Sequence, residues 1–438
     1  MRSRRLVIGV VVAAVLSTIL TVAWVSMGPL RAAPPTTAAQ ASAPAAPAGP
    51  EWSTAWAAAP AAGYRGGPQG HTVRNVVHTT VGGTQVRVRL TNRFGTAPVL
   101  FGHVTVAVSA HAGGRRDGSD DPSDGSAAPG TMHDVTFNGI KWVSVPVGAD
   151  VLSDPVALEA PVDTDLLVSI WTPVRPPVST YHVDGRQMSF VSPGPADVTA
   201  DLTPRPYTAR TSPWFYLSGV EVAGAAGTIV ALGDSITDGA ATVRGANHRW
   251  PDFLAARLAA GPEPDYGVAN VGIGGNRLLL DGQYPYTKNE SVAGRSAQSR
   301  FADDVLEQSG ARTVIILMGI NDIMGQPQQT NPAQLTSGLA HLAARAHARG
   351  LRVVAGTITP FQGWGPWTPA LDQVRMKVND WIRAGGNGEF DAVADFDQAL
   401  RDPADPRKLR RDFDGGDHLH PNDVGMQAMA GAVPVDKL

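Results

Sequence analysis

Thr228-Ile229-Val230-Ala231-Leu232-Gly233-Asp234-Ser235 is an apolar run that stops abruptly at a Gly-Asp-Ser turn. Its apolar residues do not alternate with polar ones, so it reads as a strand covered on both faces, as in a parallel sheet. The next residues, Ile236-Thr237-Asp238-Gly239, would turn into a helix. Ser235 then stands at the carboxyl end of a strand, near free helix N–H groups, the edge where open α/β sheets place their ligands. A turn with an N-capping serine is also ordinary loop chemistry, so the tripeptide gains force only from what surrounds it.

Downstream, the same kind of strand recurs at Tyr266–Val271, Thr313–Met318, Arg352–Ile358 and Asp391–Asp395. Helical patterns separate them. Asn331-Pro332 opens one, with Leu335, Leu339, Leu342 and Ala346 on one face and Gly350 at its end. Thr368-Pro369 opens another, with Leu371, Val374, Val378 and Trp381 inward and Gly385 closing it. An N-cap, a proline in the first turn and a terminal glycine agree with the 3.6-residue period in both. Alternating β and α predicts a doubly wound parallel sheet over residues 227–438.

Upstream the pattern differs. Gln85–Leu90 and His103–Val108 alternate polar and apolar residues, and Lys141–Val147 and Asp165–Trp171 follow, with Gly, Pro and Asp between the runs. Spaced short strands without a long amphipathic helix predict an antiparallel β-sandwich over residues 51–223. One insertion, Ala110 to Thr131, carries Asp117-Gly118-Ser119-Asp120-Asp121. It lacks the twelfth-position Glu and the flanking helices of a calcium loop, so it reads as a solvated loop.

A chain of 438 residues suits two domains better than one. The absence of cysteine excludes disulfides, thiolate catalysis and cysteine-ligated zinc. A net charge of −3 gives no electrostatic case for nucleic acid. Arg2, Arg4 and Arg5 precede an uncharged stretch from Leu6 to Met27, the layout of an export signal. Residues 1–31 are therefore either a signal peptide, with a cleavage option at Ala39-Gln40-Ala41, or an N-terminal membrane anchor with its basic end inside. Residues 32–50 are an Ala/Pro-rich linker. Either export reading places the rest of the chain outside the cytoplasm, secreted or anchored to the outer face of the cytoplasmic membrane.

Four blocks carry chemistry. After Gly233-Asp234-Ser235 comes Asn270-Val271-Gly272-Ile273-Gly274-Gly275-Asn276, whose glycines let backbone N–H groups approach a substrate oxygen. Gly319-Ile320-Asn321-Asp322 supplies an amide donor for a developing oxyanion. Asp417-His418-Leu419-His420-Pro421 supplies an imidazole and a carboxylate. A serine hydroxyl is a poor nucleophile at neutral pH and needs a base, which in turn needs a carboxylate to orient it. Asp234 and Asp322 read as carboxylates that hold their own loops, and Trp250 as packing. Asp414, Asp417, His418 and His420 cluster like metal ligands, but the serine and oxyanion blocks explain them without a metal.

These four blocks, in this order over Thr228 to Val433, resemble the SGNH or GDSL hydrolase family. The resemblance implies a flavodoxin-like sheet and an ester hydrolase of the lipase, acylhydrolase or acetylesterase kind, with no cofactor. It implies Ser235 as nucleophile, His420 as base and Asp417 as its orienter. It implies an oxyanion hole from the Ser235 N–H, Gly275 and Asn321. Ile236 stands where the family name has Leu. Spacing from Asn270 favours Gly275 over Gly274, and the Asp-x-x-His spacing favours His420 over His418. The expected partner is a small-molecule, lipid or acylated-carbohydrate ester. Two other functions remain open at this level: a carbohydrate- or cell-wall-binding protein with an inactive hydrolase domain, and an acyltransferase. Trp52, Trp56, Trp142, Trp171 and Trp214 are sugar-platform candidates whose commoner role is core packing.

Overall fold

Gly227–Gly233 lies in a five-stranded sheet between Tyr266–Asn270 on one side and Ala311–Leu317 on the other. Arg352–Gly356 and Ala392–Ala394 complete the sheet, and every pair is parallel. The computed structural model describes residues 51–68, 70–111, 124–262, 265–282 and 292–438. The candidate leader and linker at 1–50, and the acidic stretch Asp117–Asp121, lie outside the described residues. Among the described residues no helix is long and apolar enough to cross a membrane.

In chain order the strands run 2-1-3-4-5, the flavodoxin-like arrangement. The chain moves outward from Gly227–Gly233 in opposite directions, so a crevice opens at the carboxyl end of this strand. The continuous apolar runs have a physical cause. Val230, Leu232, Val314, Ile316 and Val353 face one core, with Leu335, Leu339, Leu342 and Val378 of the helices Pro332–His347 and Pro369–Arg383. Ile229, Ala231, Ile315, Leu317 and Val354 face the opposite core, with Trp250, Leu254, Met426 and Met429. Each fully buried side chain of this size contributes roughly 1.5–3 kcal/mol. The expected caps form: Asn331 accepts from the Ala333 N–H at 3.0 Å, and Thr368 from the Leu371 N–H at 3.2 Å. Trp381 is only partly covered and packs edge-on to Phe390, 5.2 Å between ring centres.

The upstream half is antiparallel throughout. One sheet runs Trp52–Ala57, Leu217–Ala223, Val86–Thr91, Asp150–Leu152; another has Thr72–Thr79 and Thr164–Trp171 at its centre. Val86, Val88, Leu90 and Val220 of the first meet Val73, Val104, Leu166 and Ile170 of the second in one core, which makes a β-sandwich. The strand in Lys141–Val147 is shorter than its apolar pattern, Val143–Val145, because Pro146 has no N–H for a ladder. Trp56 and Trp214 pack edge-on at 4.9 Å within the core, whereas Trp142 is exposed.

The change from antiparallel to parallel sheet falls at residues 224–226, but contacts run across it. Ala57, Ala59 and Ala61 belong to the same core as Val230 and Leu232. The Thr54 N–H donates to Thr228 Oγ1 at 2.8 Å, and the Val268 N–H to Thr80 Oγ1 at 2.9 Å. Arg93 pairs with Asp304 at 2.7 Å.

His78 lies opposite Asp165 across the central pair of the larger sheet, bonded to it at 2.9 Å and to Asp163 at 3.0 Å. Burial works against its charge, but the two aspartates push it up to about 10 from 6.5. A pKa raised by folding adds stability that is fully present below about pH 6.5 and lost as pH rises through about 10. The melting temperature should therefore fall between pH 7 and pH 10, and His78→Gln should flatten that slope in thermal scans across the range.

Candidate active site

Asp234 caps a single helical turn, Ser235–Asp238, by accepting from the Ile236 N–H at 3.0 Å. Gly233 is required just before it: a Cβ there would lie 2.0 Å from Thr237 Oγ1. Complete burial pushes the Asp234 carboxyl up to about 7. Trp250, also fully buried, donates to Thr237 Oγ1 at 3.2 Å and so holds this turn from beneath.

Ser235 Oγ stands 2.8 Å from His420 Nε2, across 185 residues of chain. His420 Nδ1 stands 2.6 Å from Asp417 Oδ2. Asp417 Oδ1 accepts the His420 and Leu419 N–H groups at 2.9 and 3.0 Å. Partial burial works to raise the Asp417 carboxyl, but these bonds hold it well below the usual carboxylate range. A carboxylate can only accept, so the imidazole proton sits on Nδ1. Nε2 is left with a lone pair facing the serine hydroxyl. His418 points elsewhere: it is exposed and bonded to Asp414 Oδ2 at 2.6 Å. The four residues that cluster in sequence thus separate into two Asp–His pairs.

The second and third blocks line the same cavity as Ser235. Asn270 joins the first two blocks, donating to Thr237 O at 2.7 Å and accepting from the Gly272 N–H at 2.9 Å. The Gly274 N–H is taken by Asp238 Oδ2 at 3.0 Å. The Gly275 N–H has no partner among the described residues, and Gly275 adopts φ 75°, a conformation that suits glycine. Asn321 gives one N–H of its amide to Asn276 O at 3.1 Å, which fixes the side chain and leaves the other N–H. Asp322 accepts from the Leu278 and Leu279 N–H groups at 2.7 and 3.0 Å, so it holds its loop.

Ser235, Gly275, Asn321 and His420 open onto one cavity of about 430 Å³, with Met324 and Trp364 on its walls. Pockets of about 300–1,000 Å³ suit small organic ligands. The Trp364 ring meets His420 edge-on, 6.0 Å between centres.

Three contributions escape the sequence. Arg300, fully buried, donates to Gly233 O, Val271 O and Asn276 Oδ1 at 3.0, 2.7 and 3.0 Å, so one guanidinium ties the first two blocks together. His182 reaches Asp238 from the sandwich, with Nε2 3.0 Å from Oδ1. Val183, Asp184 and Arg186 of the sandwich line the cavity. Arg300 sits outside every motif, and the other two contributions depend on packing between residues far apart in sequence.

Residues 231–428 match the family model described as GDSL-like Lipase/Acylhydrolase family. Solved structures similar to the chain include an acetylxylan esterase from Geobacillus stearothermophilus, 21% identical. That match covers 48% of this chain and 93% of the other, with a TM-score of 0.35. A GDSL-like lipase from Bacteroides thetaiotaomicron VPI-5482 is 20% identical, covering 47% of this chain and 84% of the other, with a TM-score of 0.35. No curated protein matches the chain.

Proposed function

We propose that the protein hydrolyses carboxylic esters through an acyl-enzyme on Ser235, a reading supported by the match of residues 231–428 to the GDSL-like Lipase/Acylhydrolase family model. The observation that carries this reading is the relay Ser235–His420–Asp417, with hydrogen bonds of 2.8 and 2.6 Å. Ser235 Oγ attacks the ester carbonyl carbon while His420 Nε2 takes the hydroxyl proton. Asp417 holds the resulting imidazolium in place. The carbonyl oxygen becomes an oxyanion, received by the N–H groups of Ser235 and Gly275 and by the free amide N–H of Asn321. The tetrahedral species collapses, the C–O bond to the alcohol breaks, and His420 returns its proton to the departing alkoxide. Water then repeats the sequence on the acyl-serine and releases the carboxylic acid.

The substrate we propose is an extracellular ester of a small molecule, a lipid or an acylated carbohydrate. The basic and apolar N-terminal segment supports export of the chain. A fluorophosphonate should label Ser235. Among p-nitrophenyl esters of increasing chain length, tested beside acetylated polysaccharides, at least one should turn over. A protein that neither takes the label nor cleaves any of these esters would sink the reading. Asn321→Ala removes one oxyanion donor and should lower kcat by about 100- to 1,000-fold, with KM little changed, in steady-state kinetics.

A further inference from the structure

His182 ends the strand Val178–His182, the middle strand of a separate three-stranded sheet in the upstream half, and is 3% exposed, yet it reaches the active-site turn. Its Nδ1 is 2.9 Å from Ala59 O and its Nε2 is 3.0 Å from Asp238 Oδ1. A carbonyl and a carboxylate can only accept hydrogen bonds, so both ring nitrogens carry protons and the ring is an imidazolium. Asp238 closes the last turn of Ser235–Asp238, and its other oxygen, Oδ2, accepts from the Gly274 N–H at 3.0 Å. A continuous path therefore runs from Ala59 of the sandwich, through His182 and Asp238, to the loop that presents Gly275. Asp238 also lines the cavity into which Ser235 opens.

We infer that His182 is a positioning residue of the hydrolase: it neutralises Asp238 beside the oxyanion site and fixes the carboxylate that holds the Gly274-Gly275 loop. This rests on the ester-hydrolase reading above. A carboxylate facing a cavity where negative charge develops opposes that charge, and low-dielectric surroundings strengthen the opposition. A cation bonded to the carboxylate cancels much of it. Burial opposes the imidazolium, but Asp238, the Ala59 carbonyl and Asp184 together outweigh it, so His182 lies above the ordinary imidazole range. The geometry also explains why Gly274 and Gly275 differ: the Asp238 carboxylate takes the first N–H, and the second is left for substrate.

The test is a two-residue cycle read as kcat and KM on an ester the wild type cleaves. His182→Gln removes the positive charge and replaces two ring N–H donors with one amide group, whose nitrogen can serve Ala59 O or Asp238 but not both. It should lower kcat by about 10- to 100-fold with KM nearly unchanged, the scale of a slightly misplaced donor. Adding Asp238→Asn removes the uncompensated negative charge. The Asn amide can donate to the Gln side chain while its oxygen still accepts from the Gly274 N–H. The double variant should recover kcat to within a few-fold of wild type, a rescue that loss of packing alone would not give. A folded His182→Gln protein with wild-type kcat overturns the inference, as does a folded double variant as slow as His182→Gln. The double variant also serves if His182→Gln alone fails to fold. Ser235→Ala separates the two layers. If Ser235→Ala is dead and His182→Gln fully active, only the role of His182 falls; if wild type cleaves no ester, the ester-hydrolase reading itself falls.

Discussion

Ser235→Ala should lower kcat/KM for every ester substrate by at least about 10,000-fold while the protein keeps its fold. The side chain lost is small, and the turn around it is held by other groups: Asp234 on the Ile236 N–H, and Trp250 on Thr237. Thermal unfolding should therefore change little. His420→Ala should cost a similar factor, because Nε2 is the only base placed against Ser235 Oγ among the described residues. The double variant should be no slower than either single variant, since nucleophile and base act as one unit. Residual turnover would come from the oxyanion donors, which both variants retain. Steady-state rates on one p-nitrophenyl ester, with circular dichroism to confirm folding, decide the matter. Turnover in Ser235→Ala within tenfold of wild type would remove the serine from the mechanism.

Asp417→Asn should be nearly as damaging, with a loss of kcat on the order of 1,000- to 10,000-fold. Asp417 receives three N–H groups, from His420 Nδ1, the His420 backbone and the Leu419 backbone. An asparagine oxygen can keep the two backbone bonds. Its amide then faces His420 Nδ1 with a donor, which favours the tautomer protonated on Nε2. That tautomer cannot accept the Ser235 proton. The loss should appear in kcat while substrate binding stays close to wild type. Asp414→Asn changes a neighbouring pair that does not touch Ser235 and serves as the control.

The parts of this molecule legible in its sequence are those set by local chemistry. Strands covered on both faces must be apolar at every position, so Thr228–Leu232 and Thr313–Met318 announce themselves, and their observed limits differ by only one or two residues. Helix ends at Asn331-Pro332 and Thr368-Pro369 follow from capping. Asp417 and His420 are close in sequence, so their pairing is visible as spacing. What spacing cannot settle is which of two adjacent glycines has a free N–H. That depends on Asp238, a residue 36 positions from Gly274. Arg300 and His182 are further from legibility. Arg300 ties its blocks through two backbone carbonyls, which any residue supplies, and the Asn276 side chain, and His182 depends on a strand end meeting a helical turn 56 residues away, which no local pattern encodes. The lining of the cavity by Val183, Asp184 and Arg186 has the same origin.

The strand Trp52–Ala57 has a consequence for how the chain folds. It is the earliest described strand, but its ladder partner is Leu217–Ala223, and Ser53 bonds to Ala225, 172 residues away. The alanines just beyond it complete the core beneath the parallel sheet. On a growing chain this strand must wait until Leu217–Ala223 has been made, about half of the chain, before it can pair. Closing so long a loop delays its reward, and topologies rich in such distant contacts fold slowly. Until then Trp52–Ala57 is an unpaired apolar edge, the kind of segment that invites aggregation. Once closed, it bridges both halves. Heat or denaturant should then melt sandwich and parallel sheet in a single transition, with no stage at which one half stands without the other.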